Sequence, residues 1–295
     1  MQPNQPISSL GGKPSSWPSR EPTYHPFGVQ FEAGQLLTRT FSLWSKDIGR
    51  LIGINALPIA LILVLGALGV GAAFAVYGVA VLNAFDDSAM WIPLAIGGMG
   101  FGIVSWLLYV AGQVGSFVAV EEVIRGEPPR IGAFGAITAG LSSMPALLGV
   151  YAVFAVITAV ILVPVTGLTV AAIASESIGL GIGAFVVAMP SSVVICYVGL
   201  RLLTIAPVAA VVEELGPIAA LRRSLELTKG NAIDLFVAAL VFGVTLMGIN
   251  ICLSILGIIP IVGAFVQLAS IVVLGSLQAV WATLAYAGLR DRLGR

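Results

Sequence analysis

Residue types that commonly carry catalysis are sparse in this sequence, and their spacing forms no familiar reaction centre. The only histidine is His25, which argues against Ser–His dyads, the His-Glu-x-x-His zinc motif and haem ligation. The segment Gly140-Leu-Ser-Ser-Met lacks the final glycine of a nucleophile elbow. Cys196 and Cys252 both fall in apolar stretches, where we expect them to be small buried side chains.

Adjacent glutamates occur in two places, at Glu121-Glu122 and at Glu213-Glu214. A hydrolase that uses only carboxylates would have to draw on these pairs, and nothing else in the sequence supports it. The sequence contains no Gly-x-x-x-x-Gly-Lys-Ser/Thr loop that could bind phosphate. It also contains no cluster of aspartates that could bind Mg²⁺ for lipid phosphotransfer. We therefore predict a protein that is not an enzyme and has no catalytic residue, cofactor or metal site.

The elements that would have to position these residues are apolar throughout. The composition is 58% hydrophobic and 9% charged, against about 25% charged in soluble domains. A bilayer core of ~30 Å is crossed by about 20 helical residues. Six stretches satisfy that length, so we predict an all-α polytopic membrane protein. They are residues 51–82, 91–120, 144–171, 178–212, 231–257 and 260–289.

All 14 lysine and arginine residues can be placed on the same side of the membrane when the six spans are threaded through it in turn. By the positive-inside rule, both termini are predicted to be cytoplasmic. Residues 1–30 are rich in Pro, Ser and Gly and contain no signal-peptide core. We predict a disordered cytoplasmic tail over 1–30 and a single transmembrane domain over 31–295.

The second and fourth spans are longer than a bilayer requires. We expect these helices to leave the membrane near Gln113 and Arg201, and their acidic ends to project into the cytoplasm. Strong tilt would be another explanation, and Pro207 could break the fourth helix.

Few polar side chains lie within the spans, and such groups are candidates for function. Arg201 is expected to pair with Glu213 or Glu214, and Asp234 is expected to cap its helix or pair with Lys229. Structural roles are favoured for both. Three polar residues precede a charged residue by twelve positions, which would place them around one shared centre. They are Gln113, Arg201 and Gln278.

Self-comparison shows internal similarity. Residues 37–52 align with 221–236 at an offset of 184, and residues 118–129 are similar to 208–217, where Glu121 and Glu213 are separated by half that offset. Arg39 then corresponds to Arg223, and Glu121 to Glu213. We predict three repeats, at about 31–125, 126–215 and 216–295, each an amphipathic interfacial helix followed by a transmembrane hairpin.

The interfacial helices carry an apolar face and a cationic face. In the first copy, Leu37, Phe41, Trp44 and Ile48 share one face. The corresponding stripes are Ile218, Leu221 and Leu225 in the third copy, and Phe134, Ile137 and Leu141 in the nearly uncharged middle copy, which is interfacial or buried against the others. Anchoring the hairpins is the simplest role. The candidate contacts to anionic lipid or a partner are Arg39, Lys46, Arg222, Arg223 and Lys229.

Two segments of the sequence form a recognisable pattern. One contains Arg201, Pro207 and Glu213 and ends with the run ALRRSLELTKGN, and the other, near the N-terminus, is FEAGQLLTRTFSLWSKDIGRLIGI. This pattern resembles the membrane domain found attached to some bacterial glycerophosphoryl diester phosphodiesterases, and related stand-alone membrane proteins of unassigned function. The resemblance covers most of residues 31–290. It implies a multi-pass protein of the bacterial inner membrane and carries over no catalytic residue.

Two functional classes follow from the sequence. The first is a non-enzymatic membrane module that binds lipid, a protein partner or a second copy at the cytoplasmic face. The second is a small-solute transporter or channel along the pseudo-threefold centre, which would need a polar cavity reaching Asn55, Gln113 and Gln278. The scarcity of buried polar groups favours the first. We predict no nucleic-acid partner.

Overall fold

The computed structural model describes residues 32–77, 91–129, 132–256 and 260–293. The predicted tail over 1–30 lies outside the described residues, as does the connection that carries Asp86 and Asp87. A π-helical segment, Leu200–Ile205, joins α5 to α6. The α-helices are α1 (Ala33–Lys46), α2 (Ile48–Tyr77), α3 (Trp91–Ile124), α4 (Ala133–Ala174), α5 (Ile178–Gly199), α6 (Ala206–Val212), α7 (Pro217–Thr228), α8 (Ala232–Leu256) and α9 (Pro260–Leu293).

Six helical stretches of the described chain are long and apolar enough to cross a membrane, and no strand occurs in these parts. The prediction of an all-α chain with six spans is therefore confirmed, and the chain is a multi-pass integral membrane protein. The spans are Ile48–Ala72, Ala95–Ile124, Ala133–Ala174, Ile178–Val212, Ala232–Leu256 and Gly263–Leu293.

Several spans extend beyond the bilayer core. Helix α3 has 34 residues and α4 has 42, and at 1.5 Å per residue both exceed a core of ~30 Å. The last turns of α3 do not project as a free acidic end, however. Glu121 and Glu122 are each only 5% exposed, because arginines from other helices pack around their carboxylates.

Pro207 does not break the fourth span. The helix widens into the π-helical segment Leu200–Ile205 and then continues as α6, in which Pro207 is buried. A proline ring removes one backbone N–H and clashes with the carbonyl four residues earlier. A local π-turn accommodates that clash while the chain stays helical.

The second helices of the three hairpins meet at the centre of the bundle. Helix α3 packs on α9 and α6, and α9 also packs on α6 and on the π-helical segment. Apolar side chains make up most of the core here, and Phe242 of the neighbouring α8 stacks on Trp281 of α9 at a ring separation of 5.0 Å. The core residues contributed by these second helices include Val114, Phe117, Ile205, Val208, Ala209, Leu277, Trp281, Ala285, Tyr286 and Leu289.

Each short segment packs on a hairpin other than the one that directly follows it. Helix α1 lies on α8 and α9, the first turns of α4 lie on α2 and α3, and α7 lies on α4, the π-helical segment and α6. This is the contact pattern that a cyclic arrangement of three repeats would produce. The buried positions in each segment are four residues apart: Leu36 and Thr40, Ala136 and Gly140, and Ala220 and Ser224.

The middle segment is not a separate interfacial helix. Residues 133–144 run without interruption into the span of α4, whereas Asp47 interrupts the first copy and Gly230, with φ of +79°, interrupts the third. The expected stripe is only partly buried there, because Phe134 is 73% and Leu141 48% exposed while Ile137 is buried. No left-handed glycine ends this segment, so the helix continues.

Away from these short segments, apolar side chains surround the helices and face outward. Met189 of α5 is 60% exposed and Met247 of α8 is 65% exposed. Side chains of this kind are compatible with lipid as the surrounding solvent. Cys196 and Cys252 also lie on this exposed surface, so the expectation that both are buried is wrong. An apolar sequence does not distinguish a core-facing from a lipid-facing position.

Candidate functional site

The charged end of the bundle comprises α1, α7 and the last turns of α3 and α9. Its central carboxylate is Glu121, whose Oε1 lies 3.0 Å from the guanidinium of Arg125 and 3.3 Å from Nη2 of Arg290. The second contact joins α3 to α9 across 169 residues of sequence. Glu121 therefore ties α3 to α9 and is committed to ion pairs.

A second buried pair joins α2 to α3. Arg50 donates from Nη2 to Oε2 of Glu122, and its Nη1 lies 3.4 Å from Oδ2 of Asp47. The side chains of Arg50 and Glu122 are only 13% and 6% exposed. Breaking one partner of such a pair leaves an uncompensated buried charge. Arg50 thus holds the junction between α1 and α2 against α3.

Glu213 occupies the corresponding place at the end of α6. Its carboxylate lies 3.2 Å from Nε of Arg223 on α7, and it also accepts a hydrogen bond from the hydroxyl of Tyr286 on α9. Arg223 is therefore part of the internal network, which removes it from the predicted contacts to lipid.

Asp234 does not pair with Lys229 as the sequence suggested. Its Oδ2 lies 3.1 Å from Nη1 of Arg292, the same nitrogen that donates to Oδ1 of Asn231 at 2.6 Å. Lys229 is exposed on the other side of the turn at Gly230. The interaction instead fastens the start of α8 to the end of α9, which the sequence separates by 58 residues.

Arg201 also has partners other than those expected. Its guanidinium donates to Oγ1 of Thr228 at 2.8 Å, to the Tyr197 hydroxyl at 3.2 Å and to the carbonyl of Leu225 at 3.2 Å. Neither Glu213 nor Glu214 contacts it among the residues described, so the expected ion pair is wrong. Arg201 anchors α7 to the π-helical segment, which is a positioning role.

The polar residues within the spans do not surround a shared centre. Gln113 donates from Nε2 to Oδ1 of Asn55 at 3.0 Å, and Asn55 in turn donates to Oγ of Ser116 at 2.8 Å. This chain of bonds fastens α2 to α3. Gln278 is exposed on α9 and Arg201 contacts α7. The three expected centre-lining residues are therefore in three different environments.

Exposed cations remain at the charged end outside this network. Among the described residues, no carboxylate pairs with Lys46, Arg222 or Lys229. The same outer face of α7 exposes Ile218 by 77% and Leu225 by 46%. Two residues of the predicted α7 stripe, Ile218 and Leu225, thus face outward, whereas the third, Leu221, packs against the protein. The buried face of α7 is formed by Ala220, Ser224 and Leu227.

A cavity of about 290 Å³ lies between the ends of α3 and α6 and is bordered by the glutamates of both. Its carboxylates are largely compensated, because Arg125, Arg290, Arg50 and Arg223 pair with three of them. Within the described parts of the chain, no group of three or more His, Cys, Asp or Glu side chains is arranged to hold a metal ion. The lining comprises Val118, Glu121, Glu122, Arg125, Glu127, Val211, Val212, Glu213 and Glu214.

Sequence reasoning missed the partners more often than the sites. Tyr286 and Arg50 were not singled out, although one bonds to Glu213 and the other to Glu122. In the sequence, each of these two residues is only a cation or a hydroxyl at the boundary of an apolar span. That position does not show which residue it will contact. No family model, curated protein or solved structure matches this chain.

Proposed function

We propose that this protein is a non-enzymatic membrane module that binds anionic phospholipids at its charged end. The outer face of α7 is the observation that carries this proposal. Ile218 and Leu225 are exposed there beside Arg222 and Lys229. Apolar side chains next to cations are what a helix lying in the headgroup layer presents to a membrane.

Electrostatics adds to this apolar contact. A lysine or arginine near an anionic membrane surface gains about 1 kcal/mol, less at high salt. Arg222 and Lys229 have no acidic partner in the described chain, so binding lipid does not require them to leave an ion pair. Arg223 would have to leave Glu213 before it could contact lipid.

The proposed location is the bacterial inner membrane, as the sequence resemblance implies. The proposed orientation places the charged end and both termini in the cytoplasm, because lysine and arginine are concentrated there. We expect a C-terminal fluorescent protein fusion to be bright and a C-terminal alkaline phosphatase fusion to be inactive. An active phosphatase fusion would show that the orientation is inverted.

Retention of lipid tests the proposed function. We expect anionic phospholipids that copurify with the detergent-solubilised protein to be enriched over their share of the source membrane. Two cations at about 1 kcal/mol each correspond to a factor of roughly 10 to 30. The double variant Arg222→Gln, Lys229→Gln is expected to lose most of that enrichment in lipid mass spectrometry.

Glu226→Gln is the matched control, because Glu226 is on the same helix and its side chain is 56% exposed. Removing this negative charge should preserve or increase anionic lipid. Equal lipid composition in the wild type and the double variant would overturn the proposal. A protein that copurifies with the wild type alone would instead support a protein partner.

A transporter or channel has less support. The second helices of the hairpins are packed against one another by apolar side chains such as Phe117, Leu277 and Trp281. Gln278, which the predicted polar path would need, faces outward. No contact among the described residues favours this function over lipid binding.

A further inference from the structure

A second cavity, of about 250 Å³, lies between α1 and the ends of α3 and α9. It is separate from α7 and from the glutamate-lined cavity. Three of its residues are polar, and all three are on α1. The lining comprises Leu36, Arg39, Ser42, Leu43, Lys46, Val123, Ile124, Leu284, Ala287 and Gly288.

The lining of this α1 cavity is cationic. Arg39, Ser42 and Lys46 are spaced by three and four residues, so they lie along one side of the helix. No carboxylate is present in the lining. The glutamate-lined cavity is bordered by the same last turns of α3, where Glu121 and Glu122 take part. The fold therefore separates negative from positive linings around the end of one helix.

The separation of the two cations indicates the shape of the ligand. Arg39 and Lys46 are seven residues apart, which corresponds to about 10 Å along a helix axis. The hydroxyl of Ser42 lies between them in sequence. Two cationic side chains on either side of a hydroxyl suit an anion with two negative groups joined by a short polar linker.

We infer that the α1 cavity binds the headgroup of a phospholipid that carries two phosphates joined by glycerol, as in cardiolipin. This inference rests on the proposed function and names the lipid class for one site. Basic pockets between membrane helices on the cytoplasmic side bind such headgroups. Arg39 and Lys46 each bind one phosphate, and Ser42 donates to the linker or to a phosphate oxygen.

The volume is large enough for a lipid headgroup. A space of about 250 Å³ is many times the ~10–15 Å³ of cavity volume that one water molecule needs, so phosphate and glycerol groups can enter it. Leu36, Leu43 and Leu284 supply apolar walls for the glycerol carbons. Arg39 already has a contact of its own, but its guanidinium carries five N–H donors and accommodates a further acceptor.

Native mass spectrometry of the full chain in detergent, with added cardiolipin, phosphatidylglycerol or phosphatidylcholine, tests the inference. We expect one cardiolipin to remain bound to the wild type at collision energies that remove phosphatidylglycerol. The variant Arg39→Gln, Lys46→Gln should lose at least tenfold in cardiolipin affinity. Ser42→Phe, which keeps both cations and fills an exposed part of the lining, should lose a similar amount.

The α7 variant Arg222→Gln, Lys229→Gln is the matched control, since it removes the same charge outside the cavity. It should lose the weakly held anionic lipids at α7, as the proposed function predicts, and keep the one cardiolipin bound in the α1 cavity. Equal retention by all variants, or equal retention of phosphatidylglycerol by the wild type, would overturn the inference while general anionic enrichment still supports the proposed function. Loss of cardiolipin on adding millimolar inorganic phosphate would show a site for the free anion. If the wild type retains no anionic lipid, both proposals fail.

Discussion

Replacing Gly140 with leucine is expected to prevent stable folding of the helical bundle. A Cβ atom at this position of α4 would lie 2.3 Å from the carbonyl oxygen of Ala111 and 2.7 Å from its Cα. These are backbone atoms of α3, so no side-chain rotation relieves the overlap. Overpacking of a core typically costs 1–3 kcal/mol and occasionally more, and here the two helices would have to separate.

Thermal unfolding in detergent, followed by circular dichroism and size-exclusion chromatography, checks this expectation. We expect the Gly140→Leu protein to melt at least 10 °C lower or to aggregate. Gly167→Leu is the control on the same helix, because nothing lies within 4 Å of a Cβ built there, and it should melt like the wild type. Wild-type melting of Gly140→Leu would mean that α3 and α4 do not approach so closely.

Gly115 makes the reciprocal contact. A Cβ there would lie 2.5 Å from Cβ of Ala136, so the two glycines face each other's helices at one crossing. Small residues at such crossings allow membrane helices to pack closely where no hydrophobic effect drives association. This crossing joins the first turns of α4 to α3. The close backbone contact explains how the nearly uncharged residues 133–144 are held next to the charged end of the bundle.

Neutralising Glu122 is expected to be the most damaging single charge change at the charged end. Glu122→Gln leaves the guanidinium of Arg50 buried beside a neutral amide, and Asp47 lies 3.4 Å from its Nη1. Removing one partner of a buried ion pair costs about 3–5 kcal/mol. We expect a lower melting temperature and faster proteolysis of the loop between α3 and α4.

The double variant Arg50→Met, Glu122→Leu distinguishes charge from packing. Replacing both members of a buried pair with apolar residues of similar size is often neutral, so this variant should recover most of the lost stability. Glu226→Gln, at a site with 56% side-chain exposure, should change the melting temperature by less than 2 °C. A double variant as unstable as Glu122→Gln would show that the ion pair itself stabilises the protein, and that the loss in Glu122→Gln does not come from an unpaired buried charge.

Hydrophobic runs and charge placement were sufficient to predict the spans. A stretch of about 20 apolar residues has few alternatives in a bilayer, because its backbone must satisfy its own hydrogen bonds. The six spans and the helical class therefore follow from local composition. The separate α1 and α7 were also predictable, since Asp47 and Gly230 interrupt the helices at their ends.

The orientation of each helix about its axis was not predictable from the same pattern. Of the four residues expected to share the apolar face of the first copy, Leu37, Phe41 and Trp44 do pack against the core. The fourth, Ile48, is 40% exposed at the start of α2. In α7, Ile218 and Leu225 face outward instead. In water an apolar stripe must be buried by protein, whereas at a membrane surface lipid buries it equally well. Amphipathicity alone therefore leaves two solutions.

The sequence by itself determined how many helices cross the membrane and which end collects the cations. Only the tertiary structure decided which cation meets which carboxylate. Arg50 meets Glu122 from 72 residues away, and Tyr286 meets Glu213 from 73. Spans follow from the free energy of transferring local segments into lipid. A pair depends on how three hairpins pack around one another, and that depends on close contacts such as Gly140 on Ala111.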